Sequence, residues 1–467
     1  MLLVFPFTLD RSRSMRLPLF AMAVGSFGIG TAEFVVMGIL PAIADSEHVS
    51  LADAGTLVTA YAVGVVVGAP LLTVATTRFS RKRLLIAFMA FFAAANLLTA
   101  FAPTFEVLVA SRFVAGLPHG AYFGVAAVVG ASLVPFERRA RAVSAVMAGL
   151  TIATVVGVPL SALAVDLITW RLVFVVIALI AVAAMIAVEL TVPDTGGMVR
   201  PTRPGAEVRA LRSSRVVLTL LTGMIGFGGM FACYTYLTPL LSEVTGFGSF
   251  AVACTLVVFG LGMTLGNIAG GHAADRFPLR GLFAAFFAIA AVLAVMAFTV
   301  ASPVMAVVCV FAMAFASSNV SPILARMLLD GAQEAPSLAS SLHHSAFNVA
   351  NANGAWLGGL VLGAGFGLTS PLLVGVGLSL AGLVLSFALA GAVRAADRRP
   401  APAPPLGHQH HFAGRAPVLQ GAVGVARVRQ LERVHGGREV PGGQFGERPF
   451  FEAAQTAELR DQFRAER

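Results

Sequence analysis

Apolar runs of about 20 residues, separated by short polar stretches, recur along the whole chain. The hydrocarbon core of a bilayer is about 30 Å thick and leaves no partner for a free backbone N–H or C=O, so a crossing segment is a helix of roughly 20 apolar residues. Twelve such spans are expected, at 17–40, 54–76, 84–103, 105–133, 140–165, 172–192, 216–241, 249–273, 280–300, 303–327, 338–364 and 370–393. Composition agrees, with 12% charged residues where a soluble domain has roughly 25%. The expected fold class is an all-α polytopic membrane protein.

The net charge of +9 raises the question of nucleic acid. The basic residues sit in short segments between apolar runs and in the tail, so no basic face is available for phosphates and no nucleic-acid partner is expected. Short loops rich in Arg and Lys stay cytoplasmic. Arg11, Arg13 and Arg16, then Arg78 to Arg83, Arg138 to Arg141, Arg200 to Arg215, Arg276 with Arg280, Arg326 and Arg394 form one set of ends. The alternate ends hold Asp45, Glu47, Asp53, Glu106 and Glu243, with Arg171 beside Trp170 as the exception. Both termini are therefore expected in the cytoplasm. Residues 1–20 lack a small-residue cleavage site behind an apolar core, so no removable leader is expected, and Met15 offers an alternative start.

Residues 193–215 read as a cytoplasmic linker that divides the spans six and six, after a short N-terminal segment, 1–16. The tail, 394–467, is rich in Pro, Gly, Arg and His and too poor in patterned apolar residues to pack, so it is expected to be disordered. Its "HQHH" (His408, His410, His411) reads as low-complexity sequence, and neither a metal nor a cofactor is expected. Cys233, Cys254 and Cys309 lie within apolar spans without metal or redox spacing and read as small core residues.

"GAPLLTVATTRFSRKRLL" from Gly68 and "GNIAGGHAADRFPLRGLF" from Gly266 share Gly, nine residues, Arg-Phe and a further basic residue, at a shift of 198. The chain thus reads as two homologous halves, 17–192 and 216–393. Inverted or parallel repeats of this kind are common in transporters, with the substrate held near the midplane between them. Channels and some membrane enzymes also carry repeats.

Glu33, in "GTAEFVVMGILP", is a carboxylate on the order of 10 Å inside span 1 by helix rise. A charge at that depth costs a few kcal/mol, so it is expected to face the interior as a group that gains and loses a proton, or to make a structural hydrogen bond. Arg112 of span 4 either faces the same interior or snorkels outward. Gly116 and His119 share its face, and His119 is either a satisfied buried histidine or a proton relay. Pro159 in span 5 should kink the helix near Gly157, where Gly149, Ser161 and Ala162 permit close approach. In span 11, Asn348, Asn351 and Asn353 suit helix cross-linking and substrate contact alike. Phe34, Tyr61, Phe123, Phe227, Phe231 and Tyr234 are candidate cavity lining. Arg78, Arg81, Lys82, Gly271, Asp275 and Arg276 are candidates for a cytoplasmic gate, in which Asp275 is an anion that could lock one conformation.

Together "GTAEFVVMGILPAIA", "RFVAGLPHGA", "VVGVPLSAL" with "TWRLVF", and "HSAFNVANANGAWLGG" resemble the major facilitator superfamily over residues 17–393. Within it they are similar to the twelve-span drug:proton antiporters, above all the arabinose efflux permease-like and chloramphenicol resistance-type members. The family's loop signature matches Gly271, Asp275 and Arg276, whereas Thr77 and Ser80 stand where the first half usually has Asp and Gly. The span 5 signature appears as Gly157-Val158-Pro159 with Ser161 and Ala162. The resemblance implies that Glu33 is the family's span 1 acid near the cavity, and Arg112 the span 4 arginine linked to proton coupling. The implied function is proton-coupled efflux of a small organic molecule, drug or sugar, by a monomer in the bacterial inner membrane, with no enzymatic activity. Proton symport of an imported solute, a membrane receptor and a polytopic enzyme are the rivals. The nearest enzyme-like group, His343-His344, has no carboxylate partner in the sequence.

Overall fold

The computed structural model describes residues 11–76, 79–135, 138–194, 213–332 and 336–397. The expected linker, apart from its ends, lies outside these residues, as do Thr77, Arg78 and the tail beyond Asp397.

Every described element is helical. In chain order they form twelve long spans: α1 (Arg11–Glu47), α2 (Leu51–Ala75), α3 (Arg81–Ala100), α4 (Phe105–Ser132), α5 (Arg139–Ile152 continuing through Val158–Ala164), α6 (Trp170–Thr191), α7 (Ser214–Gly226 continuing through Gly228–Thr235 and Leu237–Pro239), α8 (Ser249–Arg276), α9 (Pro278–Thr299), α10 (Pro303–Gly331), α11 (Pro336–Gly363) and α12 (Ser370–Asp397). Eleven of them are long and apolar enough to cross a membrane. The remaining one, α11, matches their length but carries His343, His344, Asn348, Asn351 and Asn353. Its polarity is that of a helix turned inward. Large apolar side chains such as Leu179, Leu190, Phe287 and Phe298 are exposed on the outside, as a lipid-facing surface requires.

Helices α8 to α12 begin 197 to 200 residues after α2 to α6. The repeat also survives in the packing. A Cβ on Gly64 or Gly68 of α2 would stand 2.1 Å from the carbonyl oxygens of Phe113 or Leu117 on α4, and one on Gly262 or Gly266 of α8 would stand 2.8 or 2.2 Å from those of Phe311 or Phe315 on α10. Backbone meets backbone at both crossings, and only glycine allows it.

Prolines break the spans where helices meet. Pro41 has no N–H to give the Met37 carbonyl one turn earlier, and α1 leaves helical geometry at Ile39 (φ −118°, ψ 17°). The freed Met37 carbonyl accepts the Thr238 hydroxyl of α7 at 3.0 Å, with Gly38 at 3.3 Å. In α7, Tyr236 (φ −109°, ψ 16°) breaks the helix before Pro239, the repeat counterpart of Pro41. In α5 a π-helical turn occupies Ala153–Gly157 and runs up to Pro159, with Val158 N–H donating to the Ala153 carbonyl. Pro159 would clash with the carbonyl of Val155, and widening the preceding turn relieves it. Gly157 then packs on α1, its Cβ position 2.4 Å from Thr31 Oγ1.

One end of the bundle carries Arg81, Lys82, Arg83, Arg138, Arg276, Arg280 and Arg326 and is here called the basic end. The other is the acidic end. Arg171, the basic exception there, donates to Glu47 at 2.7 Å and to the Ala102 carbonyl at 3.2 Å, and stacks over Trp170. It joins the end of α1 to the start of α6. Cys233 and Cys309 are buried as expected, whereas Cys254 is exposed on α8.

Candidate functional site

The seam between the halves is packed at the acidic end. There Thr238 bonds α1, and Tyr236 sits against glycines of both halves, Gly55 on α2 and Gly358 and Gly359 on α11, its hydroxyl donating to the Ala355 carbonyl at 2.9 Å. Several ion pairs at the basic end lie within a single half. Lys82 lies 3.3 Å from Glu189, and Arg326 lies 3.2 Å from Asp275 and 3.1 Å from Asp330. The candidate gate residue Asp275 therefore meets an arginine of its own half, on α10. Arg276 lies in the last turn of α8, Gly271 faces open space, and Arg81 Nε is buried without a partner.

Between these ends lies Glu33, 6% exposed. Because α1 continues to Glu47, Glu33 is about 20 Å from that helix end. Among the described residues no ion pair or hydrogen bond fixes its carboxylate. It is within electrostatic reach of Arg112, Tyr61 and Tyr234, the last from the opposite half.

Arg112 is fully buried and does not snorkel. Its Nη2 donates to the Ala32 carbonyl, adjacent to Glu33 in the chain, at 2.7 Å. Its guanidinium stacks over Tyr61 at 4.4 Å and Phe174 at 5.4 Å. Nε and Nη1 have no partner. The cation is thus held by one backbone carbonyl and two aromatic faces, with donors left over. His119, two turns along α4, shares a hydrogen bond of 3.1 Å between its Nδ1 and the Tyr61 hydroxyl. Gly116, on the same face, packs on the Tyr61 carbonyl, so that face looks toward α2.

The six aromatic candidates are buried, and all but Tyr61 and Phe227 make ring contacts that cross the seam. Phe34 stacks with Phe231 at 6.5 Å and meets Tyr234 edge-on at 6.1 Å. Phe227 packs on Phe231 at 5.5 Å and on Phe347 at 4.3 Å. Phe123 lies on His119 at 5.1 Å and parallel to His344 of the other half at 6.1 Å. Phe347, His344, Tyr236 and Thr238 are site residues the sequence reading missed. Phe347 and His344 stand one helical turn before Asn351 and Asn348, a spacing that could have marked them.

Asn348 and Asn351 are 5% and 1% exposed. Asn348 Nδ2 donates to the His344 carbonyl at 3.1 Å and its Oδ1 is unpartnered, while Asn351 has a partner for neither amide atom. Tyr234 Oη is also unpartnered. Buried polar atoms of this kind call for a partner, protein, water or solute. No cluster of His, Cys, Asp or Glu among the described residues could hold a metal.

The sequence profile described as Major Facilitator Superfamily matches residues 22–335. The inner membrane transport protein YdhP of Escherichia coli K12 is 38% identical over 370 residues, covering 79% of this chain and 95% of the relative. A chloramphenicol resistance protein of Streptomyces lividans is 33% identical over 365 residues, covering 77% and 92%. In structure, the chain is similar to a bacterial homolog of the human lysosomal transporter Spinster, solved in an inward-facing and unoccupied conformation. The TM-score is 0.61 at 17% identity, covering 84% of this chain and 99% of the other, a likeness of fold. Two six-helix halves packed along a seam, and full-length relatives that are membrane transport proteins, lead to one conclusion: this chain is a multi-pass membrane protein that belongs to the major facilitator superfamily.

Proposed function

We propose that the chain is a proton-driven exporter of a small organic molecule, working by rocking of its two halves. The basic end would face the cytoplasm, as the distribution of Arg and Lys argues, in the inner membrane of a bacterium. Glu33 takes up a proton when the seam opens outward and releases it when the seam opens inward. Substrate competes with that proton, so each ligand favours the states that let the other exchange. At about 100 mV one inward proton supplies roughly 2.3 kcal/mol, to which a pH difference adds.

The observation that carries this reading is Glu33 itself. It is buried beside residues of both halves, yet no counter-ion within bonding distance holds its charge. Arg112, anchored to the neighbouring Ala32 carbonyl, keeps a positive field at the acid without closing an ion pair on it. The name of the Streptomyces relative supports a phenicol-like substrate.

The test is transport in proteoliposomes under an imposed pH gradient, with phenicols, cationic dyes and pentoses as probes. The wild-type chain is expected to accumulate substrate uphill in inverted orientation, and Glu33→Gln to fold normally and lose at least about 100-fold of gradient-driven flux. Normal pumping by Glu33→Gln would remove the acid from the mechanism. Accumulation only in the opposite orientation would make the chain a symporter.

A further inference from the structure

Glu33 lies between two contacts that join the halves. Toward the acidic end these are the Thr238 bond to α1 and the Tyr236 packing. Toward the basic end the ring of Phe123 lies parallel to that of His344 at 6.1 Å. Phe123 stands 11 residues beyond Arg112 on α4, about 16 Å nearer the basic end. Titratable side chains stand on both sides of its ring. On the near side Tyr61 is within electrostatic reach of Glu33, and its hydroxyl shares the 3.1 Å bond with His119 Nδ1. His119 in turn packs on Phe123 at 5.1 Å. On the far side His343 lies 5.8 Å from His344; its Nε2 shares a 3.2 Å bond with the Ser321 hydroxyl of α10, and its Nδ1 is buried without a partner. His119 and His344 are within electrostatic reach of each other. Exposure follows the same order. Glu33, Tyr61, His119 and Phe123 are buried, whereas His343 and His344, about 11 Å in from Pro336 at the basic end, are half-buried. The repeat does not demand this pair, because the 198-residue shift puts Ala145 and Val146 of α5 at its positions in the first half.

We infer that Tyr61, His119, His344 and His343 carry the Glu33 proton to the basic end, and that Phe123 is the plug between the two limbs of this route. One limb belongs to the first half and the other to the second, so rocking of the halves changes their separation. With His119 protonated on Nε2, the Tyr61 hydroxyl passes its proton to Nδ1 as it takes one from Glu33. The carboxyl becomes a carboxylate, the phenol is neutral before and after, and the imidazole becomes an imidazolium. The Nε2 proton then leaves to His344 and on to His343, and a turn of the His119 ring restores its starting tautomer. An apolar ring in a narrow passage excludes the water that would bridge the two imidazoles, so the proton waits until the halves move. The other charged or titratable groups facing the route are Arg112 over Tyr61, Tyr234 near Glu33, and Tyr122 beside Phe123, whose hydroxyl is committed to the Met22 carbonyl. Beyond Ser321, Arg326 and Asp330 of α10 pair with each other. The inference rests on the transport reading above and adds to it the path by which the proton leaves.

The test is the collapse of an imposed pH gradient in proteoliposomes of the full chain, loaded with pyranine and given no solute to transport. Wild type should hold the gradient, and Phe123→Ala should collapse it at least about tenfold faster. Adding His344→Leu or Glu33→Gln to Phe123→Ala should return the rate to that of wild type. A tight Phe123→Ala chain, or a leak that survives the loss of His344, would overturn the inference. A second variant, His344→Gln, keeps much of the shape and hydrogen bonding of the side chain and cannot take up a proton. It should melt like wild type and lose at least about tenfold of gradient-driven flux, whereas the titratable His344→Glu should keep more of it. Normal flux by His344→Gln, or a loss of stability along with the flux, would overturn the inference, and this arm decides if Phe123→Ala does not fold. The two readings fail separately: a His344-dependent leak in a chain that moves no solute keeps the route and removes the exporter, and gradient-driven export with a tight Phe123→Ala chain does the reverse.

Discussion

Gly64 and Gly68 of the first half press on the carbonyls of Phe113 and Leu117, and 198 residues later Gly262 and Gly266 press on those of Phe311 and Phe315. The same register takes Glu33 to Phe231, Arg112 to Val310 and His119 to Ser317. The halves have kept their crossing and parted in their chemistry. A close helix crossing is a steric need of each half by itself, so it is met twice. A buried titratable acid with its cation is costly in a membrane protein and, among the described residues, is carried once. At the counterpart of Glu33 the second half places Phe231, which stacks on Phe34 beside the acid.

The strongest way to break this comparison is to exchange its two ends, combining Glu33→Phe with Phe231→Glu. The volume and charge of the interior change little, but the acid now sits in the half that has Val310 where the first has Arg112. Gradient-driven accumulation is expected to fall below about 1% of wild type in the liposome assay. Pumping by the exchanged chain would show that either half can carry the acid. Next in size is the shared crossing. Gly68→Val and Gly266→Val each drive a side chain into a backbone carbonyl, at 2.1 and 2.2 Å, that cannot swing away. Each should destabilise the chain by about 3 kcal/mol or more, seen as a lower melting temperature or lost expression. Gly271→Ala, in open space, is the control that should lose nothing. Damage from only one of the two valines would mean that the crossings are not equivalent.

The parts legible in the sequence are those that depend on local physics. Span length, the six-and-six division and the 198-residue repeat all follow from hydropathy and spacing, and α2 to α6 reappear as α8 to α12. Positions that depend on a distant helix were less legible. Pro159 announces a disturbed helix, but the form it takes, a widened turn at Ala153–Gly157 with Gly157 packed on Thr31, involves a neighbouring helix. Arg112 invites an acidic partner, and its neighbour proves to be the Ala32 carbonyl, because the α1–α4 approach sets what lies within reach. Pro41 suggests that span 1 stops there, and α1 instead continues past it to Glu47, with Thr238 of α7 taking the freed Met37 carbonyl.

That Thr238 bond sharpens the comparison at smaller scale. Its repeat counterpart is Leu40, so the hydrogen bond across the seam runs from the second half to the first with no reciprocal. Thr238→Val leaves the Met37 carbonyl without a donor and should weaken the acidic-end seam by about 1 kcal/mol. A single cysteine at Ala52 of α2, whose Cβ lies 3.7 Å from the Cβ position of Gly363 on α11 across that seam, in a background without the native three, would then be alkylated about fivefold faster. An unchanged rate would mean that the hydroxyl does not hold the halves together.

The smallest effect is expected at the basic end, where the halves differ by a complete ion pair. Asp275 and Arg326 meet at 3.2 Å in the second half, and 198 residues earlier stand Thr77 and Val128, so both partners of the pair are replaced together. An exposed pair gains little Coulomb energy in water and pays side-chain entropy to hold its geometry. These two side chains are 75% and 49% exposed. Arg326 also keeps Asp330 at 3.1 Å, one turn along its own helix, when Asp275 is removed. Asp275→Asn should therefore cost no more than about 1 kcal/mol in thermal stability, less at high salt. Its effect on transport should be larger than on stability if the carboxylate meets the first half in another conformation, because Arg81 at the start of α3 has an unpartnered Nε waiting at that end. Equal transport by Asp275→Asn and wild type would confine the aspartate to its present pair and leave the two basic ends different in composition but alike in role.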